Sequence, residues 1–127
     1  MHAPASFDYA ILRVVPRVER QEFINAGIVV FCLERRFLAA RIKLDRDRLK
    51  TLWPDVDADV VAHHLDAVSR ICAGDPTAGP IARLSERERF HWLVSPRSTI
   101  IQPSPVHTGV CDPTDGLLDR LEKQFLS

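Results

Sequence analysis

The sequence lacks an excess of charge of either sign. Its 127 residues include 17 basic and 17 acidic side chains, so the formal net charge at pH 7 is zero. A protein without a global field does not attract nucleic acid or an anionic membrane over long distances. The balance therefore argues against a nucleic-acid-binding protein and leaves a local patch as the means of binding an anion.

The chain also lacks a long hydrophobic run and an export signal. Its longest apolar stretch, Ala26 to Leu33, is far shorter than the roughly 20 residues that cross a bilayer. The N-terminal residues MHAPASFDYA contain neither the basic region nor the apolar region of a signal peptide. We therefore expect a cytoplasmic protein that does not associate with membranes.

Cysteine is scarce, and the three that occur, Cys32, Cys72 and Cys111, form no CxxC pair. This spacing predicts reduced, buried thiols rather than a disulfide framework or a zinc site, with a catalytic thiolate as the alternative. His63 and His64 diverge by about 100° on a predicted helix, which argues against a shared metal ion. We expect His64 to be interior and His63 to be solvated. The sequence also lacks phosphate-binding loops, nucleophile elbows and HExxH motifs, so we expect no metal and no cofactor.

Length and patterning predict one α+β domain over residues 1–127, monomeric or a small homo-oligomer. The expected architecture is an antiparallel sheet of three to five strands, with helices packed mainly on one face. Strands are expected at residues 9–15, 23–33 and 37–44, with an extended piece at 99–101. Helices are expected at residues 45–53, 57–74, 85–94 and 112–126, the last with Asp112 as its N-cap and Pro113 at its first position.

The second predicted strand, FINAGIVVFCL, is almost continuously apolar, as is typical of a central strand covered on both faces. We expect Val29, Val30 and Phe31 to be buried. Gly27 indicates a bulge or a close approach by another backbone. Trp53 and Trp92 are expected to anchor the core, with the alternative that one of them lies at an interface.

The most polar segment, SPRSTIIQPSPVHTGVCDP, spans Ser95 to Pro113 between two predicted helices. Its internal prolines restrict the chain, so its polar groups can be held ready for a ligand at small entropic cost. We therefore predict a ligand-binding site in this segment. Its candidate residues are Arg97, Ser98, Thr99, Gln102, His107 and Thr108.

Arg97, Ser98 and Thr99 offer a guanidinium and hydroxyls that can converge on a phosphate or carboxylate. The alternative is an ion pair between Arg97 and Glu86 or Glu88 on the preceding helix. The first hypothesis is accordingly a non-enzymatic module that binds a protein partner or a small anionic ligand through residues 97–108.

His107 supports the second hypothesis, a hydrolase or phosphoryl-transfer enzyme. The imidazole would act as acid or base, Arg97 would stabilise developing charge, and Asp112 or Glu22 would orient the histidine. This mechanism requires the four side chains to meet in space. The alternative is a structural histidine that caps the last helix or hydrogen-bonds to the sheet. No nucleophile accompanies His107 in a known catalytic signature.

Three segments, YAILRVVP, EFINAGIVVFC and SPRSTIIQPSPVHTGVCD, carry a likeness to a known family. The chain resembles the bacterial family called domain of unknown function 3037 from about Asp8 to Phe125. The resemblance implies a small, free-standing bacterial cytoplasmic protein without an assigned reaction. It also implies a protein partner that resembles the HipA-type kinase fold.

Overall fold

The computed structural model describes residues 4–97, 99–111 and 114–126. Within these ranges, five strands form one antiparallel sheet: β1 (Ala5–Val14), β2 (Ile24–Cys32), β3 (Phe37–Ile42), β4 (Ile101–Pro103) and β5 (His107–Cys111). The order begins β3-β2-β1, and both β4 and β5 pair with β1. The predicted α+β class and antiparallel sheet are confirmed.

Four α-helices occur in the same ranges: α1 (Arg46–Leu52), α2 (Ala58–Cys72), α3 (Glu86–Leu93) and α4 (Leu117–Phe125). The carboxylate of Asp57 caps α2, and the predicted capping box of Ser85 and Glu88 starts α3. The expected start of the last helix is wrong, because Gly116, at φ 74°, is its N-cap. Asp112 and Pro113 themselves lie outside the described residues.

Helices α1 to α3 share one face of the sheet. Phe31 of β2 clusters there with Val68 of α2 and Phe90 of α3, while α1 packs against α2 beside them. Side chains alternate across a strand, so the neighbouring Val30 faces the other way and clusters with Leu121 of α4. The helices therefore lie mainly on one face, as predicted, and α4 covers the opposite face.

Strand β2 is the centre of the fold. Val29 and Val30 are fully buried and Phe31 is 6% exposed, which confirms the predicted central strand. A Cβ atom on Gly27 would lie 3.2 Å from the backbone carbonyl oxygen of Arg41 and only 2.8 Å from Ile42 Cδ1. The β1–β2 pairing also shifts register between Leu12 and Arg13, next to Gly27. Both structures predicted at Gly27, a bulge and a close approach by another backbone, are confirmed.

Ser104 connects the two short strands β4 and β5. It is 3% exposed, and it is the only polar residue that is buried among those the structure describes. Its backbone N–H donates to Ile11 O at 2.7 Å, and its hydroxyl oxygen accepts from Ile11 N at 2.8 Å. A single residue, through its backbone N–H and its hydroxyl, thus bridges the break between β4 and β5 in the pairing with β1. Sequence patterning predicted an extended piece at residues 99–101, which begins two residues before β4, and it did not predict β5, because β5 exposes most of its side chains.

The core contains all three cysteines but not both tryptophans. Cys32, Cys72 and Cys111 are buried, whereas Trp53 is only half-buried. Trp92 exposes 40% of its surface, so its expected role as a core anchor is wrong. In the described part of the chain, no helix has the length and apolar character needed to cross a membrane.

Candidate functional site

A cavity of about 530 Å³ opens between α2 and the segment that follows α3. Ligand sites in proteins usually have volumes of roughly 300–1,000 Å³. We call this space the α2 cavity. It is lined by His64, Ala67, Val68, Ile71, Trp92, Arg97, Thr99, Ile100 and Ile101.

Local structure fixes both walls of the α2 cavity. On one wall, Ala67, Val68 and Ile71 recur at helical spacing and present one apolar stripe of α2. On the other wall, the chain after α3 is tied to the sheet, where Val15 N donates to Ile100 O at 2.7 Å. The walls are therefore apolar at their base and held by regular structure.

Arg97 carries the positive charge of this site. Its guanidinium carbon lies 4.2 Å from the centroid of the Trp92 ring, and its Nη2 donates to the Trp92 carbonyl oxygen. Burial lowers the pKa of Arg97 from its ordinary value, but an arginine remains charged at neutral pH. The alternative ion pair with Glu86 or Glu88 is not formed among the described residues, and Glu88 instead accepts from Ser85.

Thr99 lines the same cavity but cannot donate to an anion as it stands. Its hydroxyl group has one proton, which it donates to Ile101 O at 2.8 Å. Its oxygen remains an acceptor. Ser98, the other hydroxyl of the expected anion cradle, lies outside the described residues. Among the described residues of the expected anion cradle, Arg97 is therefore the group with hydrogen-bond donors left for an anion.

Trp92 and His64 line the α2 cavity although sequence analysis did not assign them to the site. His64 is exposed, so its expected interior position is wrong. A signal for Trp92 was present: it lies two residues after Phe90 and one before Leu93, which are both buried. Residues one or two apart on a helix do not share a face, so Trp92 must turn away from that apolar stripe.

His107 and Thr108 lie on β5, away from the α2 cavity. The His107 ring centroid is 5.5 Å from that of Tyr9, and Thr108 Oγ1 donates to Asp8 Oδ1 at 2.9 Å. Consecutive strand residues point to opposite faces, so these two side chains diverge. His107 thus belongs to the sheet edge rather than to a loop.

The strand register separates His107 from Arg97. His107 pairs with Tyr9, whereas Ile101, at the cavity wall, pairs with Val14. Five strand residues correspond to roughly 17 Å along β1. Acid–base chemistry needs hydrogen-bond reach between its groups, which this register does not provide.

Glu22 and Asp112, the two residues expected to orient His107, do not complete a catalytic group with it in the described part of the chain. Glu22 precedes β2 at Ile24, whose partner is Val14, so it too lies at the far end of β1 from His107. Its carboxylate is 2.7 Å from Arg20. Asp112, the other orienting candidate, is outside the described residues.

Gln102 lies on a different side of β4 from the α2 cavity. It pairs directly with Arg13 of β1 and lines a second, smaller cavity beside it. Its Nε2 donates to Thr99 O at 2.9 Å. The described candidates therefore occupy three places: the α2 cavity, the second cavity and the β5 edge.

The buried thiols offer no activated nucleophile at Cys72. Burial raises the pKa of the Cys72 thiol to about 12, against the smaller opposing effect of the Arg89 charge. A thiolate is the reactive form of cysteine, and at neutral pH almost none is present there.

The fold and the site together define an α+β protein that carries a ligand-sized cavity with an apolar base and a cationic rim. Residues 9–126 match the family described as "Protein of unknown function (DUF3037)", and the chain belongs to that family. The resemblance noted in the sequence is thereby confirmed. No curated protein and no solved structure matches the chain significantly.

Proposed function

We propose that this protein is a non-enzymatic binding module that takes up a small anionic ligand with an apolar body in the α2 cavity. The observation that carries the proposal is the position of Arg97, whose guanidinium lies over Trp92 at an otherwise largely apolar cavity. The ligand's apolar part would occupy the base, and its phosphate or carboxylate would bind Arg97.

The apolar base of the α2 cavity supports the first part of the proposal, the binding of an apolar ligand body. Val68, Ile71, Ile100 and Ile101 present aliphatic surface around the cavity. Removing apolar ligand surface from water is favourable by about 25 cal/mol per Å², so a hydrocarbon chain of a few carbons gains affinity there. A bare inorganic ion would leave this surface unused.

The restricted position of the Arg97 guanidinium supports the second part of the proposal, the binding of a phosphate or carboxylate. Stacking on Trp92 and the bond to its carbonyl restrict the Arg97 side chain before a ligand arrives, which lowers the entropic cost of binding. One Nη2 proton is committed, and the other donors of the planar group remain to bind an oxyanion in a bidentate way. His64 on α2 and Thr99 add further polar groups to the lining.

A protein partner is the second candidate, and the exposed Trp92 favours it. Trp92 exposes 40% of its surface beside Arg97, and both residue types are enriched among those that dominate binding energy at interfaces. A protein that resembles the HipA-type kinase fold is the partner that the family resemblance predicts for this surface. The cytoplasmic location also stays a prediction.

The test compares four probes on the purified protein by calorimetry: hexanoate, hexyl phosphate, hexanol and inorganic phosphate. The proposal predicts that hexanoate or hexyl phosphate binds best, because only these two fill both halves of the site. Arg97→Gln should weaken their binding about tenfold or more, as expected for a charged hydrogen bond. Arg87→Gln, at an exposed α3 position outside the cavity lining, is the matched charge control.

A cavity-filling variant separates the two candidates. Ala67→Phe should block a small ligand, because Ala67 lines the cavity wall. Loss of probe binding in both Arg97→Gln and Ala67→Phe supports the small-ligand proposal. If none of the four probes binds the wild type, while Arg97→Gln and Trp92→Ala but not Ala67→Phe lose a co-purifying protein, the partner candidate replaces it.

A further inference from the structure

The second cavity, of about 310 Å³, lies beside Arg13 and is lined by Arg13, Val15, Val18, Gln21, Phe23 and Gln102. We call it the Arg13 cavity. Leu12 and Val14 pack with the clusters under helices α1 to α3, so Arg13 between them points to the opposite face of the sheet. The Arg13 cavity is therefore separate from the α2 cavity.

Arg13 has unmet hydrogen-bonding capacity. Its guanidinium carbon lies 4.4 Å from the centroid of the Phe23 ring. Its Nε is buried and has no hydrogen-bond partner among the described residues, where Arg13 also forms no ion pair. A buried N–H donor without an acceptor is unfavourable, and an anion beside the guanidinium would offset this cost.

The surroundings of Arg13 combine two polar side chains, Gln21 and Gln102, with apolar ones. Gln102 lies directly across from Arg13 on β4, and its Nε2 bond to Thr99 leaves Oε1 and a second N–H for other contacts. Phe23 and Val18 expose 45% and 39% of their surfaces, although both are large apolar residues. Such surface beside a cation favours a ligand that is apolar next to its charge.

We propose that the Arg13 cavity binds the carboxylate of a small acid that carries an apolar group. The carboxylate matches the planar guanidinium of Arg13, and the apolar group lies against Phe23 and Val18. The volume is at the lower end of ligand sites, so the group is about the size of one amino-acid side chain. A free acid and the C-terminal carboxylate of a peptide present this same chemistry.

The test is a nitrogen-15 NMR titration that follows the Arg13 Nε–Hε signal. The probes are 3-phenylpropionate, its neutral amide, and the dipeptide acetyl-Gly-Phe with a free or an amidated C-terminus. We expect the carboxylates to shift the Arg13 signal saturably and the amides to leave it in place. A dipeptide about tenfold tighter than the free acid assigns the site to peptide C-termini, and equal affinity assigns it to free acids.

Variants locate the binding, and their affinity for 3-phenylpropionate is measured by calorimetry, because Arg13→Gln itself has no Arg13 signal to follow. Arg13→Gln should weaken carboxylate binding about tenfold or more, while Arg17→Gln, the same charge change at an exposed residue outside this cavity, should not. If Arg13→Gln does not fold, Gln102→Glu replaces it, because a carboxylate across from Arg13 would occupy the guanidinium and exclude the ligand. Arg97→Gln should leave this titration unchanged, which separates it from binding in the α2 cavity.

Three results would overturn the proposal. The first is a wild-type protein whose Arg13 signal does not respond to either carboxylate. The second is equal response to the acid and its amide, since the charge would then play no part. The third is equal loss in Arg13→Gln and Arg17→Gln, which would assign the effect to overall charge.

Discussion

Replacing Phe31 by alanine tests the packing of the central strand most severely. Phe31 is 6% exposed and stacks on Phe90 of α3 with ring centroids 5.3 Å apart. A buried aromatic side chain removes about 150–250 Å² from water, which corresponds to roughly 4–6 kcal/mol at 25 cal/mol per Å² as an upper estimate. Measured Phe→Ala losses in cores are about 3–5 kcal/mol. We therefore expect the free energy of unfolding to fall by about 3–5 kcal/mol.

Urea unfolding followed by circular dichroism measures this loss. Phe23→Ala is the matched control, because it removes the same atoms from a side chain that is 45% exposed and should cost much less. The double variant with Phe90→Ala should reveal a coupling energy of about 0.5–1.5 kcal/mol for the stacked pair. A loss below about 1 kcal/mol for Phe31→Ala, or one no larger than that of Phe23→Ala, would refute the packing argument.

Other predictions concern single side chains. Arg89→Ala removes bonds to three backbone carbonyls and should lower the melting temperature well below that of the exposed control Arg87→Ala; equal melting temperatures would contradict this. The pKa of the Asp75 carboxyl is held below its ordinary value by Thr77 and then by Arg70, so its stabilising effect is present above pH 3.8 and is lost as the pH falls through the lowered pKa. The difference in melting temperature between wild type and Asp75→Asn should therefore be larger at pH 7 than at pH 2, and a constant difference would count against it. The pKa of Cys72, raised to about 12, predicts that iodoacetamide at pH 8 does not label this residue in the folded protein, as mass spectrometry would show; rapid labelling would disagree.

The elements that sequence analysis predicted best are those with strong local signals. The Asp57 cap with its helical stripe identified α2, and the Ser85–Glu88 capping box identified the start of α3. The apolar run of β2 identified the central strand, because burial on both faces leaves a continuous hydrophobic pattern. In these cases the local pattern and the tertiary packing favour the same structure.

Strand β5 and the start of α4 depended on tertiary structure instead. His107 and Thr108 are exposed at a sheet edge, so their sequence carries no apolar alternation. Asp112-Pro113 is a strong helix-start signal, yet α4 begins after Gly116. Local propensity is a weak guide when packing of the following residues decides the boundary.

The candidate site was predicted only in part for the same reason. Proximity in sequence grouped Arg97 and Thr99, which line one cavity, with Gln102 and His107, which the register separates from it. The helix α2 contributes a whole wall of the cavity from about 30 residues earlier in the chain. Such a wall is visible only when the chain is folded.

The central claim, that Arg97 binds the charged end of a ligand whose apolar part fills the α2 cavity, is tested most directly by charge discrimination. The measurement is the ratio of hexanoate to hexanol affinity in the wild type and in Arg97→Gln, determined by calorimetry at low salt. We expect the wild type to prefer hexanoate by about tenfold or more and the variant to have lost this preference. An undiminished preference in Arg97→Gln, or none in the wild type, would contradict it.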